Sequence, residues 1–198
     1  MGKGGTHQKW WVLFLFCYFC TMRKLKNEEL GRMTNEEFKS ADKLPIAIVL
    51  DNVRSMHNVG SAFRTGDAFA VDQIALCGIT AQPPHREIHK TALGATDTVD
   101  WIHYASTNEA VVELKKQGYS IYAIEQADES TSLEDFQVVE GQKIALVFGN
   151  EVFGVEEEIV QQADGCLEIP QFGTKHSLNI SVSIGVVLWD LVKKIKFN

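Results

Sequence analysis

From residue 45 onward the chain alternates between two hydrophobic patterns. The runs PIAIVL (45–50), QIALCG (73–78), YSIYAIE (119–125), KIALVFG (143–149) and CLEIP (166–170) are apolar almost throughout and of strand length. That is the pattern of strands covered on both faces, and it implies a parallel sheet. Between them, VGSAFRTGDAFAV (59–71), TNEAVVELKKQG (107–118) and GVEEEIVQQAD (154–164) carry helical spacing, with Gly118 as a stop. The alternation predicts an α/β fold, an open and mostly parallel sheet with helices on both faces. Residues 79–100, with Pro83, Pro84 and Gly94, read as an irregular crossing with a short helical turn.

The segment KHSLNISVSIGVVLWDL (175–191) reads two ways. Leu178, Ile180, Val182, Ile184 and Val186 alternate with small or polar residues, as in a strand. Yet Ser177 is a good helix N-cap, and the apolar run continues through Trp189, further than most strands reach. As a helix from Ser177, it places Asn179, Ser183 and Asp190 within about 40° of one another, a narrow polar stripe on an apolar cylinder. The reading adopted is a buried helix whose few polar groups are satisfied or in use.

Composition narrows the class. With 198 residues, 45% of them hydrophobic and 23% charged, one compact domain is expected. A net charge of -7 argues against a general nucleic-acid coat protein while leaving room for a local basic patch. Cysteines at 17, 20, 77 and 166 complete no zinc set, so no metal is expected; Cys77 and Cys166 read as core thiols in a reducing, cytoplasmic setting. The segment WWVLFLFCYFC (10–20), behind Lys3 and Lys9, is about half as long as a membrane span, and no small-x-small cleavage site follows it. Residues 1–21 are therefore read as an extension without a role in function, a signal or anchor being the alternative. Residues 22–44 are read as a charged helical lead-in and 45–198 as the main domain.

In parallel sheets ligands bind beyond the carboxyl ends of strands, so the candidate chemistry lies in the residues that follow each run. In DNVRSMHNVGSAFRTGD (51–67), Asn58 is a plausible N-cap, and Gly60 shares a helix face with Arg64 and leaves space beside the guanidinium. That suits an anion or a ribose; the plainer reading pairs Arg64 with Asp67. In FGNEVFGVEEE (148–158), Gly149 and Gly154 bracket Asn150 and Glu151 ahead of a helix, which permits close approach to a ligand or simply makes a turn. No dinucleotide or P-loop glycine pattern is present, and His85 and His89 in HREIHK lack the glutamate placement of a zincin.

Taken in order, NVGSAFR (58–64), ALVFGNEVFGV (145–155) and CLEIPQFGTKHSLNISVSIGVVLWDL (166–191) resemble the three motifs of the SpoU (TrmH) family of RNA ribose 2'-O-methyltransferases, in the SPOUT superfamily. KTALGA (90–95) is similar to the family's central segment, and the resemblance covers about 45–195. It implies an α/β fold with a C-terminal trefoil knot that holds S-adenosylmethionine, and a homodimer with its active site near the subunit interface. By position, it implies catalytic or near-catalytic roles for Asn58, Arg64, Glu151, Ser177 and Asn179. It implies cofactor contacts at Gly149, Ile169 and Leu178, largely through the backbone, and at Glu125.

In the family picture the residue at Arg64 helps to deprotonate the ribose 2'-hydroxyl. Guanidinium is a very poor base at neutral pH, so the expected role is to hold a substrate phosphate and stabilise the developing alkoxide, the alternative being a guanidinium perturbed by desolvation and nearby groups. Ser177 and Asn179 would orient the ribose or Arg64. The expected substrate is RNA, with tRNA guanosine favoured by the 149–179 region. The alternatives are the same reaction on rRNA and a catalytically silent knotted RNA-binding protein, which the intact set Arg64, Glu151 and Asn179 disfavours. The expectation is of a minimal catalytic domain without a separate RNA-binding domain before the motifs, with Arg23, Lys24, Lys26, Arg32 and the tail KKIKFN as the candidate extensions of the footprint.

Overall fold

A computed structural model describes residues 22–197. The apolar segment 10–20 and the expected extension 1–21 lie outside the described residues. The chain divides into two compact units, one ending at Arg32 and one beginning at Met33. In the first, a 3-10 turn spans Asn27–Leu30, and the Arg23 guanidinium donates to both oxygens of Glu29 at 2.9 and 2.7 Å. One of the candidate RNA-binding cations is thus already paired.

The second unit opens with α1 (Asn35–Ser40), where Thr34 and Glu37 form a reciprocal capping box. It continues through β1 (Leu44–Asp51), α2 (Met56–Ala68), β2 (Val71–Cys77), α3 (Arg86–Ala92), β3 (Asp100–Tyr104), α4 (Thr107–Lys116) and β4 (Tyr119–Ile124). Then follow β5 (Thr131–Ser132), β6 (Lys143–Phe148), α5 (Glu157–Gln162), β7 (Gly165–Glu168) and α6 (Ile180–Lys196). The seven strands form one sheet in the order β3-β2-β1-β6-β4-β7-β5, and every neighbouring pair is parallel.

Side-chain alternation explains the continuous apolar runs. Ile46, Ile48 and Leu50 of β1 pack with Val59 and Phe63 of α2, Ile88 of α3 and Ile184 and Leu188 of α6. Ala47 and Val49 point the other way, into a second cluster with Val111 and Leu114 of α4 and Ile159 of α5. Both faces of the central strands are therefore dry, as the α/β reading required.

Several element boundaries differ from the pattern. Helix α2 starts at Met56 because Ser55, not Asn58, caps it, its hydroxyl accepting the Asn58 N–H at 3.3 Å. Strand β3 (DWIHY) was invisible to the apolar pattern because it is a partly exposed edge strand. Helix α5 begins later than expected, since Gly154 adopts φ +71 and pairs backbone to backbone with Asn150 before any helix can start. The space left by Gly60 serves packing rather than a guanidinium: a Cβ there would lie 2.3 Å from the Ile88 carbonyl oxygen of α3.

The largest correction concerns α6. It starts at Ile180 with Asn179 as N-cap, not at Ser177, and it is not buried all round. Val182, Val186 and Trp189, at helical spacing, are 49%, 39% and 54% exposed. Asp190 ion-pairs with Lys194 one turn on, so it is not part of a functional stripe. An apolar sequence pattern marks surface hidden from water and does not say whether the chain itself does the hiding.

Candidate active site

A cavity of about 540 Å³ opens beyond the carboxyl ends of three adjacent strands, β6, β4 and β7. Its wall is built from the residues that follow each: Gly149 and Glu151 after β6, Glu125 after β4, and Ile169 after β7. Ser177, Leu178 and Asn179 close it from the segment leading into α6. Seven of the nine residues singled out from the sequence thus surround one space. Asn58 and Arg64 are not in its wall.

Two backbone segments meet in its wall because Gly149 carries no side chain. A Cβ on Gly149 would come within 1.8 Å of the Gly154 carbonyl carbon. Beside them, the Glu125 carboxylate accepts the N–H groups of Val155 at 3.2 Å and Gln126 at 2.9 Å. The Gln126 side chain reaches across to the His176 carbonyl at 2.8 Å, tying the 171–179 segment to the end of β4.

Asn58 joins the site through Glu151. The Glu151 carboxylate accepts the backbone N–H groups of Arg54 at 3.2 Å and Ser55 at 3.1 Å, and the Asn58 carboxamide N–H at 3.0 Å. Partial desolvation pushes its carboxyl up, but the N–H donors, from its own backbone, Asn58, Arg54 and Ser55, outweigh this and hold it below the usual range. With three donors from residues 54–58 converging on it, Glu151 is an anionic clamp on the start of α2 rather than a group poised to take a proton.

Sequence reasoning missed the hub behind this clamp. Asp51, fully buried at the end of β1, accepts Thr107 Oγ1–H at 2.5 Å, the Asn52 side chain at 2.9 Å and the Glu156 backbone N–H at 2.9 Å. It therefore fixes the far end of the 149–156 loop. An acid placed directly after an apolar strand run was the available signal, but its partners lie up to 105 residues away and leave no local pattern.

Asn179 has two faces. Its Oδ1 accepts the Ser181 N–H at 2.9 Å and so caps α6, while its Nδ2 has no partner among the described residues. Arg64 is exposed and makes no hydrogen bond or ion pair among the described residues. Its expected partner Asp67 instead accepts Thr98 Oγ1–H at 2.5 Å, which removes the surface-pair reading. Six residues beyond Asn58, Arg64 lies about 9 Å further along α2 and about 120° around it. Cys77 is an inert core thiol, its pKa pushed up to about 12 by burial, whereas Cys166 is only half-buried. Among the described residues there is no cluster of His, Cys, Asp or Glu able to hold a metal ion, and no helix long and apolar enough to cross a membrane.

The SpoU rRNA Methylase family matches residues 45–189. A tRNA (guanosine(18)-2'-O)-methyltransferase of Thermus thermophilus is 31% identical over 163 residues, 82% of this chain and 81% of that protein. A 23S rRNA (guanosine-2'-O-)-methyltransferase of Neisseria meningitidis is 32% identical over 148 residues, 73% of this chain and 56% of that one. The crystal structure of an AdoMet-bound rRNA methyltransferase from Sinorhizobium meliloti superposes with a TM-score of 0.70 at 25% identity, over 77% of this chain and 57% of that one.

Proposed function

Because the chain belongs to the SpoU rRNA methylase family, we propose that it is an S-adenosylmethionine-dependent methyltransferase acting on a ribose 2'-hydroxyl of RNA, and of a tRNA guanosine in particular. The observation that carries the reading is the convergence of Gly149, Glu125, Ile169, Leu178 and Asn179 on one cavity at the sheet's carboxyl edge. The finer assignment to tRNA rests on the guanosine(18) relative, which matches this chain over most of both lengths. Incubation with methyl-labelled cofactor and, separately, total tRNA and total rRNA tests it. Label in tRNA is the expected result, label in rRNA alone moves the substrate, and label in neither favours the silent RNA-binding alternative.

The residues fit the cofactor. The cavity has a size suited to small organic ligands, combines apolar side chains such as Ile169 and Leu178 with two carboxylates, and carries no lysine or arginine in its wall. That charge pattern suits a sulfonium cation. When bound, S-adenosylmethionine supplies an already activated methyl group, so what remains for the protein is alignment. Gly149, Ile169 and Leu178 form the cofactor seat, and Glu125 holds the Gly154–Val155 turn against it. Glu151 positions Asn58, and Asn179 presents its Nδ2 donor to the ribose. Arg64 stabilises the negative charge that builds on the 2'-oxygen as it attacks the methyl carbon, the hydroxyl proton passing to solvent water.

Asn179→Ser separates the two roles of that residue. Serine also caps helices well, so stability is expected to stay within about 0.5 kcal/mol. Methyl transfer is expected to fall about 10²-fold, because the carboxamide donor is gone. Thermal unfolding and initial rates measured on the same preparation check both halves.

The same reading includes a homodimer and a C-terminal knot. The dimer is supported by the exposed Val182, Val186 and Trp189 stripe on α6, continued by Phe69 at the end of α2, whose ring centroid lies 6.4 Å from that of Trp189. A second copy seated there adjoins α2, which carries Arg64, and α6, which starts at the cavity. Supporting the knot is the way residues 176–183 share one cavity wall with the ends of β4 and β6. Trp189→Glu is expected to give a monomer in sedimentation velocity at concentrations where the unaltered chain is dimeric; an unchanged dimer would place the interface elsewhere.

A further inference from the structure

A second cavity, of about 590 Å³, lies outside the cofactor site, between α3 and β3. Its wall includes Pro83, Arg86, Ile88, His89, Asp97 and Trp101. The geometry points to a subsite for a nucleotide of the substrate RNA next to the one that is methylated, resting on the methyl-transfer reading above.

The chemistry of the wall selects this occupant. One side of the Trp101 indole is fixed by an edge contact with Phe63, at 6.4 Å between centroids and 87° between planes, and the half-exposed ring borders the cavity. An aromatic face held rigid by the core, with a proline ring nearby, is what an unstacked base seeks in single-stranded RNA recognition. The charges of α3 divide between two sides. Glu87 is consumed by His57 at 3.0 Å and Lys90 at 2.8 Å, on the α2 side. The Arg86 and His89 side chains have no hydrogen bond or ion pair among the described residues, and both residues line the cavity. In a chain of net charge -7, an unpaired guanidinium beside an aromatic ring is a place for a phosphate. Asp97, also in the wall, repels a phosphate and accepts N–H donors, so it favours a base edge on its side and leaves the phosphate to Arg86.

The subsite is also rigidly tied to the active site. Thr91 Oγ1 of α3 donates to the His57 carbonyl at 3.2 Å, one residue before Asn58. The missing side chain of Gly60 lets the α3 backbone press directly on α2. The axes of α2 and α3 thus lie about 8–10 Å apart, so Arg86 and His89 stand on an element packed directly against the helix that presents Asn58.

Arg86→Glu tests the inference, with Arg86→Lys as the charge-conserving variant and Lys116→Glu, on the exposed side of α4, as a control for net charge. Glutamate is favoured in the first turn of a helix, so folding is not threatened. Fluorescence anisotropy with labelled total tRNA, over a salt series, reads binding whether or not methyl is transferred. Arg86→Glu is expected to weaken binding about tenfold and to lower the salt slope by about one, with lysine restoring most of the loss. Lys116→Glu is expected to leave both within about twofold of the unaltered chain. In methylation assays the Arg86→Glu effect appears in KM for RNA rather than in kcat. Equal binding by Arg86→Glu and the unaltered chain, or an equal loss in Lys116→Glu, overturns the subsite. Absence of methyl transfer by the unaltered chain counts against the functional reading instead and leaves the binding result to stand or fall separately.

Discussion

Replacing Arg64 with alanine is expected to lower methyl transfer to RNA about 10²–10³-fold while changing cofactor affinity less than about twofold. Among the described residues the side chain has no other partner. It is exposed on α2, it is absent from the wall of the cavity beyond β6, β4 and β7, and the acid that was expected to pair with it is held by Thr98. Alanine is the best helix former, so stability should hold or rise slightly. Calorimetric titration of the cofactor beside single-turnover transfer measures the two quantities independently. If cofactor affinity fell along with transfer, the division between a cofactor seat in the loops and a charge-stabilising residue on α2 would be wrong.

Glu151→Gln is expected to be costly in both stability and activity. The carboxylate receives three N–H donors from residues 54–58, and glutamine turns an amide NH2 toward at least one of them. Leaving donors unpaired costs about 1–3 kcal/mol. The resulting shift of Asn58 by a fraction of an ångström to an ångström lowers transfer about 10²-fold. The stability difference should also depend on pH in one direction. The Glu151 carboxyl is depressed in the fold, so its contribution is complete above the unfolded carboxyl value, about 4.3, and fades as the pH falls through the lower folded value. Melting temperatures of the two forms should therefore differ at neutral pH and converge in strong acid. A gap that instead widened on acidification would exclude the clamp.

Much of the architecture could be read from residue pattern because the central strands are dry on both sides. Ile46, Ile48 and Leu50 serve one cluster and Ala47 and Val49 the other, and such strands leave continuous apolar runs. Edge strand β3 left none, since only a covered strand needs them. The start of α6 was misjudged by two residues because serine and asparagine are both good caps, and only tertiary context chooses between them. Its exposed Trp189 face was misread as core because an apolar pattern does not say whether the chain itself covers it. The site is a different case. No single loop identified it; the order of three motifs did, through resemblance to a family. What neither pattern nor resemblance offered was the hydrogen-bonded scaffold of Asp51, Glu156 and Glu151, whose partners are joined only when β1 and β6 lie side by side.

The central claim is a methyl group delivered to a ribose oxygen. The most direct measurement is therefore the position of the label in RNA modified by the purified chain with methyl-labelled S-adenosylmethionine. A 2'-O-methyl group removes the hydroxyl needed for alkaline cleavage, so the account predicts label in an alkali-resistant dinucleotide and in a ribose-methylated nucleoside, guanosine foremost. Label on a base, with every phosphodiester still cleaved by alkali, would contradict it.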